Sequence, residues 1–260
     1  MMLPDFGFGN IEAELWKLIF ISARIGAALV AAPIFGATSV PVQLRIIMAG
    51  AISVFVQIWV PVTTPADLFS LAALTALVSE IVIGLACGFV LQLSFAAPVL
   101  AAEQISGAMG MAIATAADPN TGGQSTALGQ YFTLVLTLIF LAVGGHLLWL
   151  RLVIESYRAL PPGGEWMSAD QALVIAAFAG EMFATAVAIA LPVTLALLLV
   201  QMVTGVLSRS APSLNLFSLG LPAGVLAGIA ALIAATPLIT DQFVALSAQA
   251  IDQVGRIATP

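Results

Sequence analysis

Long apolar blocks separated by short polar connections dominate the pattern of this 260-residue chain. A transmembrane helix needs about 20 predominantly apolar residues, and roughly six blocks meet or approach that length. Their approximate limits are Leu15–Phe35, Ile46–Val62, Leu68–Phe95, Ala127–Leu150, Leu173–Leu207 and Leu219–Leu246. The pattern therefore predicts an all-α integral membrane protein with about six long hydrophobic helices.

Composition supports the same class. Hydrophobic residues make up 61% of the chain and charged residues 8%, whereas soluble domains carry about 25% charged residues. So few charges cannot solvate a globular surface. The 13 acids and seven bases, with a net charge of −6, form no run of either sign. The absence of a clustered basic patch argues against nucleic-acid binding.

Several blocks contain proline, and two are longer than one crossing requires. The third continues through Pro98 towards Glu103, and the fifth, about 35 residues long, contains Pro192. Proline inside a helix removes a hydrogen bond and favours a kink. We expect kinks here and bends at Pro222 and Pro237 in the last block. The fifth helix is expected to be kinked, tilted or extended into an assembly.

The segment Glu103–Gly123 lies between apolar blocks but is a poor helix former, since each glycine costs roughly 1 kcal/mol relative to alanine. Asp118 and Pro119 indicate a turn. Non-helical backbone at membrane depth is tolerated only inside protein or along a cavity. We therefore predict an enclosed loop with a soft apolar constriction at Met109, Met111 and Ile113. The alternative is that these methionines only pack between helices. The glycines expected to allow movement are Gly107 and Gly110.

Several charged residues lie in or beside the apolar blocks, and four of them are predicted to be buried. A charge at membrane depth needs a partner or an aqueous cavity. Arg24 is interpreted as structurally paired in preference to a transport role, and Glu80 as a structural acid in preference to a proton-binding one. The predicted buried network consists of Arg24, Glu80, Glu103 and Glu181, although the sequence does not reveal which of these residues pair.

Small residues recur at helical spacing on two blocks. In lipid, such residues let helix backbones approach closely, and positions four apart share a helix face. The predicted packing glycines are Gly84, Gly88, Gly220, Gly224 and Gly228.

The middle of the chain is the most water-compatible part. The fourth block is expected to end at Gly144-Gly145-His146, and Arg151–Gln171 to form a polar connection in which Pro161-Pro162-Gly163-Gly164 ends any helix. His146 has no second ligand at metal-binding spacing. No catalytic constellation and no cofactor motif emerge either, so we expect a non-enzymatic protein with no metal or cofactor.

Taken together, these residues resemble the FliR family of flagellar biosynthetic proteins, which belong to the type III export gate. The similarity runs in order along nearly the whole chain, although each motif alone is weak. Its N-terminal part is Arg24-Ile-Gly-Ala, Pro33-Ile-Phe-Gly36, Pro41 and Arg45. The central part is Glu80, Gly84, Gly88, Ala102-Glu103-Gln104-Ile105-Ser106-Gly107, Gly110, Ala114, Asp118-Pro119, Gly145-His146, Ser156 and Pro161-Pro162-Gly163. The C-terminal part is Arg209-Ser210-Ala211-Pro212-Ser213-Leu214-Asn215-Leu216-Phe217-Ser218-Leu219-Gly220-Leu221-Pro222.

The resemblance implies a pore-forming subunit in the bacterial inner membrane, within the flagellar basal body. Such a subunit assembles with FliP-like and FliQ-like partners into a helical hetero-oligomeric stack of hairpins, and an FlhB-like component packs at the base. Unfolded flagellar subunits pass through its channel. The resemblance implies one export-gate domain over residues 1–260, with N-terminal helices at about 11–106, a channel plug at about 106–123, and C-terminal helices at about 127–246.

Two alternatives stay open from the sequence. An injectisome export gate would differ in its cargo. A small-solute secondary transporter would also suit buried acids and broken helices, although no convincing internal repeat is present.

Overall fold

The computed structural model describes residues 11–60, 70–111, 126–164, 166–210 and 216–258. Within these ranges the chain forms helices and no strands, so the all-α prediction is confirmed. The helices are α1 Ile11–Ala31, α2 Val42–Trp59, α3 Leu71–Ala108, α4 Ala127–Ala142, α5 Gly145–Ala159, α6 Ala169–Ser210 and α7 Leu216–Ala258.

Four helical segments of the described chain are long and apolar enough to cross a membrane, and α4 with α5 would add a fifth as one broken span. The four segments are Val42–Trp59, Leu71–Ala108, Ala169–Ser210 and Pro222–Ala258. The predicted count of six is thus approximate. Helix α1 is outside this set because Glu12, Glu14, Lys17 and Arg24 interrupt its apolar sequence.

The three longest helices continue through their prolines. Pro98 lies inside α3, Pro192 inside α6, and Pro222 and Pro237 inside α7. Each proline removes one backbone donor from its helix. The kinks expected at these positions stay predictions.

The fourth apolar block is not one helix to Leu150. It breaks at Gly144, in agreement with the expected end at Gly144-Gly145-His146. Helix α4 ends at Ala142, and α5 begins at Gly145. Between them Gly144 adopts a φ of 75°, a left-handed conformation that glycine reaches without steric cost. Helix α5 then continues to Ala159, through much of the segment predicted as a polar connection.

Side-chain caps define the starts of two helices. Thr126 Oγ1 accepts a hydrogen bond from Gly129 N at 3.2 Å before α4. Ser168 and Gln171 form a reciprocal pair before α6: Ser168 N donates to Gln171 Oε1, and Gln171 N donates to Ser168 Oγ. Both arrangements satisfy backbone donors that have no partner inside a helix.

The chain folds into two compact units. Unit 1 comprises Met1–Leu93, Gly144–Phe178 and Gln249–Pro260. Unit 2 comprises Ser94–Val143 and Ala179–Ala248. Unit 1 therefore contains α1, α2, α5 and the first part of α3, whereas unit 2 contains the end of α3, all of α4 and most of α6 and α7.

Aromatic side chains fill the core of each unit. In unit 1, buried Trp149 stacks on Phe35 with ring centroids 5.8 Å apart. Its indole Nε1 donates to the Cys87 carbonyl oxygen at 3.1 Å. In unit 2, Phe132 meets Phe243 edge to face at 5.5 Å. These contacts combine large apolar area with directional ring packing.

Candidate functional site

Arg24 of α1 and Glu80 of α3 form a buried ion pair in unit 1. Arg24 Nε donates to Glu80 Oε2 at 2.8 Å, and Arg24 Nη2 donates to Glu80 Oε1 at 2.7 Å. The side-chain exposure is 0% for Arg24 and 1% for Glu80. Two parallel hydrogen bonds of this kind match the planar guanidinium to the carboxylate and fix their relative orientation.

Helix α5 and Leu160, the residue that follows it, supply the other partners of the guanidinium. Arg24 Nη1 donates to Ser156 Oγ at 2.9 Å, and Nη2 also donates to the Leu160 carbonyl oxygen at 2.6 Å. The guanidinium carbon lies 4.2 Å from the centre of the Tyr157 ring. The arginine thus joins α1, α3 and α5 through one polar cluster in which every guanidinium nitrogen donates at least one hydrogen bond, as a buried charge requires.

Two glycines of α3 let α1 approach closely enough for this ion pair. A Cβ atom at Gly84 would overlap the Arg24 carbonyl oxygen, and one at Gly88 would lie 2.6 Å from the Ala28 carbonyl oxygen. Both glycines share a helix face with Glu80, since they follow it by four and eight residues. The close approach and the ion pair therefore belong to one interface.

Sequence reasoning singled out the arginine and the glutamate but missed their α5 partners. Trp149, Val153, Ser156 and Tyr157 are all buried and lie at the spacing of one helical stripe. That stripe was the available signal. It was obscured by the charged residues on the opposite side of the same segment.

The other two acids of the predicted network do not join this cluster. Glu103 and Glu181 are exposed on this chain, so the predicted four-residue buried network is corrected to the Arg24–Glu80 pair. A carboxylate without a charged partner is costly to bury, and both acids lie at surface positions of α3 and α6. Glu103 instead uses Oε1 to accept a hydrogen bond from Thr126 N at 2.9 Å.

That bond links the last turns of α3 to the residue before α4, on the two sides of the predicted loop in unit 2. Thr126 lies on the far side of the segment from α3, and its Oγ1 also meets Ser106 Oγ at 3.3 Å. On the near side, Gln201 Nε2 of α6 donates to the Ala108 carbonyl oxygen at 2.7 Å. The described residues that flank the predicted loop therefore contact the last turns of α3.

Met109 follows α3 directly and packs on the glycine stripe of α7. It is 5% exposed. A Cβ atom at Gly228 would lie 2.5–2.8 Å from the Met109 side chain, and one at Gly224 would lie 3.0 Å from the Met109 carbonyl oxygen. The two glycines form a seat for this methionine, and a side chain at Gly228 would displace it.

The remaining residues predicted for the loop and its contacts are distributed as follows. Gly107 is exposed with open space around it, Gly110 has a φ of 83°, and Met111 and Gly220 are half-buried. Three further residues fall outside the described chain, and they are Ile113, Asp118 and Pro119.

The fold and these two clusters define a class of protein. It is an α-helical integral membrane protein in which a buried ion pair joins three helices and hydrogen bonds link the end of α3 to the residue before α4. In the ranges the structure covers, no three His, Cys, Asp or Glu residues are grouped as metal ligands.

Comparison with known proteins assigns the chain to a family. The sequence profile of the family described as "Bacterial export proteins, family 1" matches residues 15–250, and the chain belongs to this family. The flagellar biosynthetic protein FliR of Escherichia coli K12 is 32% identical over 229 residues, which cover 88% of this chain and 86% of the relative. FliR of Pectobacterium carotovorum is 32% identical over 250 residues, covering 96% and 94%. FliR of Bacillus subtilis is 32% identical over 215 residues, covering 79% of each chain.

Proposed function

We propose that this chain is a non-enzymatic, pore-forming subunit of the flagellar type III export gate in the bacterial inner membrane. Unfolded flagellar subunits would cross the membrane through the channel to which it contributes, and its mid-chain loop would plug that channel at rest. Near full-length similarity to proteins named FliR supports the flagellar assignment over the injectisome and solute-transporter alternatives.

The closed base of the loop is the structural observation that carries the plug proposal. Glu103 and Ser106 meet Thr126 across the segment, and Met109 occupies the seat formed by Gly224 and Gly228. A plug must be anchored at both ends so that it covers an opening without being lost from it. The anchors described here meet that requirement, and the residues between them form the proposed plug.

Apolar side chains would provide the seal. Methionine adapts to irregular surfaces, and a hydrophobic constriction hinders ions by dewetting. The proposed sealing residues are Met109, Met111 and Ile113, the last of which is assigned from the sequence alone. The Arg24–Glu80 cluster would contribute differently, by keeping three wall helices in fixed register while cargo passes.

Exposed apolar helix surfaces support assembly with partner subunits. Ile46, Ile47 and Ile58 of α2 are 65–70% exposed on this chain. Monomeric proteins rarely expose large contiguous apolar patches to water, so lipid or other hydrophobic subunits must cover these surfaces. We propose FliP-like and FliQ-like subunits as the main partners and an FlhB-like component at the base.

Purification and export assays test this assignment. A tagged full-length chain is expressed from its chromosomal locus and purified in mild detergent. The proposal predicts that two smaller hydrophobic subunits co-purify with it, and that deleting its gene stops secretion of flagellar subunits. The proposal would be overturned if the chain purifies alone and if cells that lack its gene secrete flagellar subunits normally.

A further inference from the structure

A groove in unit 1, distinct from the clusters above, combines aromatic, aliphatic and basic side chains. It has a volume of about 440 Å³. One wall is the end of α2, with Phe55 and Trp59. The other is the outer face of α5, with Leu147, Arg151 and Arg158. We propose that this groove binds an anionic phospholipid, with the headgroup phosphate at the arginines and an acyl chain along the apolar wall.

The position of the groove matches the depth of lipid headgroups. Trp59 is the last residue of a candidate membrane span, Val42–Trp59, and it is 67% exposed. Tryptophan is enriched where the hydrocarbon region meets water because its ring is apolar and its N–H is polar. The end of α2 therefore marks a membrane interface, and the α5 wall of the groove lies beside it.

Charge determines which lipid the groove would select. The chain has only seven Lys and Arg residues against 13 acids, yet two of the arginines line this one groove. Arg151 Nε donates to Glu155 Oε1 at 2.7 Å, whereas Arg158 has no ion-pair partner among the described residues. The groove thus carries a net positive charge within a strongly acidic chain, and basic grooves at membrane interfaces favour anionic headgroups.

The apolar wall suits an acyl chain. Phe55 is 51% exposed and Leu147 is 63% exposed, and Leu150 and Ile154 continue the same surface along α5. An acyl chain along this wall would bury these side chains, and each CH₂ group that it removes from water favours binding. A free phosphate ion would gain nothing from this wall, so the occupant is a lipid.

Fluorescence quenching tests the proposal on the full-length chain in detergent micelles. Brominated phosphatidylglycerol is titrated in, with brominated phosphatidylcholine as the zwitterionic comparison. We expect phosphatidylglycerol to quench the tryptophan emission at lower concentration. The difference between the two lipids should largely disappear in Trp59→Phe, although Trp16, Trp149 and Trp166 are retained.

Charge variants give opposite expected shifts. Arg158→Gln should raise the half-saturating concentration of phosphatidylglycerol about fivefold, since one base near a membrane surface contributes roughly 1 kcal/mol. Glu155→Gln should lower that concentration, because it frees Arg151. Arg256→Gln removes another exposed arginine of unit 1, which pairs with Asp252, and should not change that concentration.

Three results would overturn the proposal. The first is equal quenching by both lipids. The second is the same change in the half-saturating concentration of phosphatidylglycerol in Arg158→Gln and Arg256→Gln. The third is loss of lipid quenching at Trp59 when the chain is purified with its co-expressed partner subunits, since the groove would then be a protein–protein interface.

Discussion

Arg24 and Glu80 are separated by 56 residues in sequence but joined by two hydrogen bonds of 2.8 and 2.7 Å in a fully buried site. Removing two charges from water is costly, and their attraction offsets this cost only when the remaining donors are also satisfied. Ser156 and Leu160 accept two further hydrogen bonds from the guanidinium. The pair is therefore a structural joint between α1, α3 and α5.

Removing either partner of this pair should destabilise the chain strongly. Arg24→Ala or Glu80→Ala leaves an uncompensated buried charge, and the expected loss is about 3–5 kcal/mol in the free energy of unfolding. Arg24→Lys should retain only part of the stability, since an ammonium cannot form the paired hydrogen bonds. Denaturant unfolding of the purified chain in detergent measures both effects.

The exposed Glu14–Lys17 pair is the matched control for these variants. It lies on the same helix, α1, with a similar N–O distance of 3.0 Å. Lys17→Ala should have little effect, because solvent screens an exposed pair and the hydrogen bond from Gln57 to Glu14 is retained. Equal losses from Lys17→Ala and Arg24→Ala would contradict the role assigned to the buried pair.

Close helix approach at Gly84 gives a second prediction. Gly84→Ala forces a methyl group against the Arg24 backbone, which cannot move aside, so we expect a loss of about 1–3 kcal/mol or more in stability. Gly50→Ala in α2 adds a methyl group to open space and should be neutral or stabilising, as helix propensity favours alanine. Thermal unfolding of the two variants side by side distinguishes them, and similar melting temperatures would refute the assigned contact.

Met109 and Gly228 should be energetically coupled. Gly228→Ala places a methyl group against the Met109 side chain, and Met109→Ala removes that obstruction. A double-mutant cycle should therefore show coupling of about 0.5–3 kcal/mol, with the double variant more stable than the sum of the single losses predicts. Gly205→Ala, which meets nothing within 4 Å, should combine additively with Met109→Ala. Coupling of the same size in both cycles would rule out the seat.

Two exposed glutamates of unit 2, Glu103 and Glu181, should differ in their effect on ion leakage, because only Glu103 contacts the residue that follows the proposed plug. Glu103→Ala removes the acceptor of the Thr126 backbone N–H, so we expect increased ion leakage in cells that express the assembled gate. Glu103→Gln keeps an acceptor oxygen and should leak less. Glu181→Ala removes an exposed acid outside the loop base and serves as the control. Leakage is measured by the uptake of an otherwise excluded ion.

Much of the fold follows from the apolar pattern. The long blocks predict α3, α6 and α7 because an uninterrupted apolar run has few other solutions in a membrane. The pattern fails at α5, since Arg151, Glu155 and Arg158 make the segment resemble a polar connection, whereas Ser156 and Tyr157 on its other face are buried. An amphipathic helix beside a membrane needs its helical period examined as well as its mean polarity.

The site was partly predictable. Arg24 and Glu80 stand out because charges are rare in apolar helices, but no local rule pairs residues from different helices. Gly84 and Gly228 were recognisable as packing positions, yet their neighbours, the Arg24 backbone and the Met109 side chain, depend on tertiary structure. Glu103 was expected to be buried but is exposed. Its carboxylate lies in the last turns of α3 and accepts a hydrogen bond from the backbone of Thr126, the residue before α4.

The most direct test of the account is the ion permeability of a gate whose loop is shortened while its anchors are kept. Deletion of residues 112–124 retains Glu103, Met109 and Thr126, and a short glycine–serine linker joins the ends. The account predicts that the variant still assembles with its partners and that the membrane becomes leaky to small ions. A shortened gate that assembles in normal amounts and leaves the membrane tight would contradict the proposal that this segment plugs the channel.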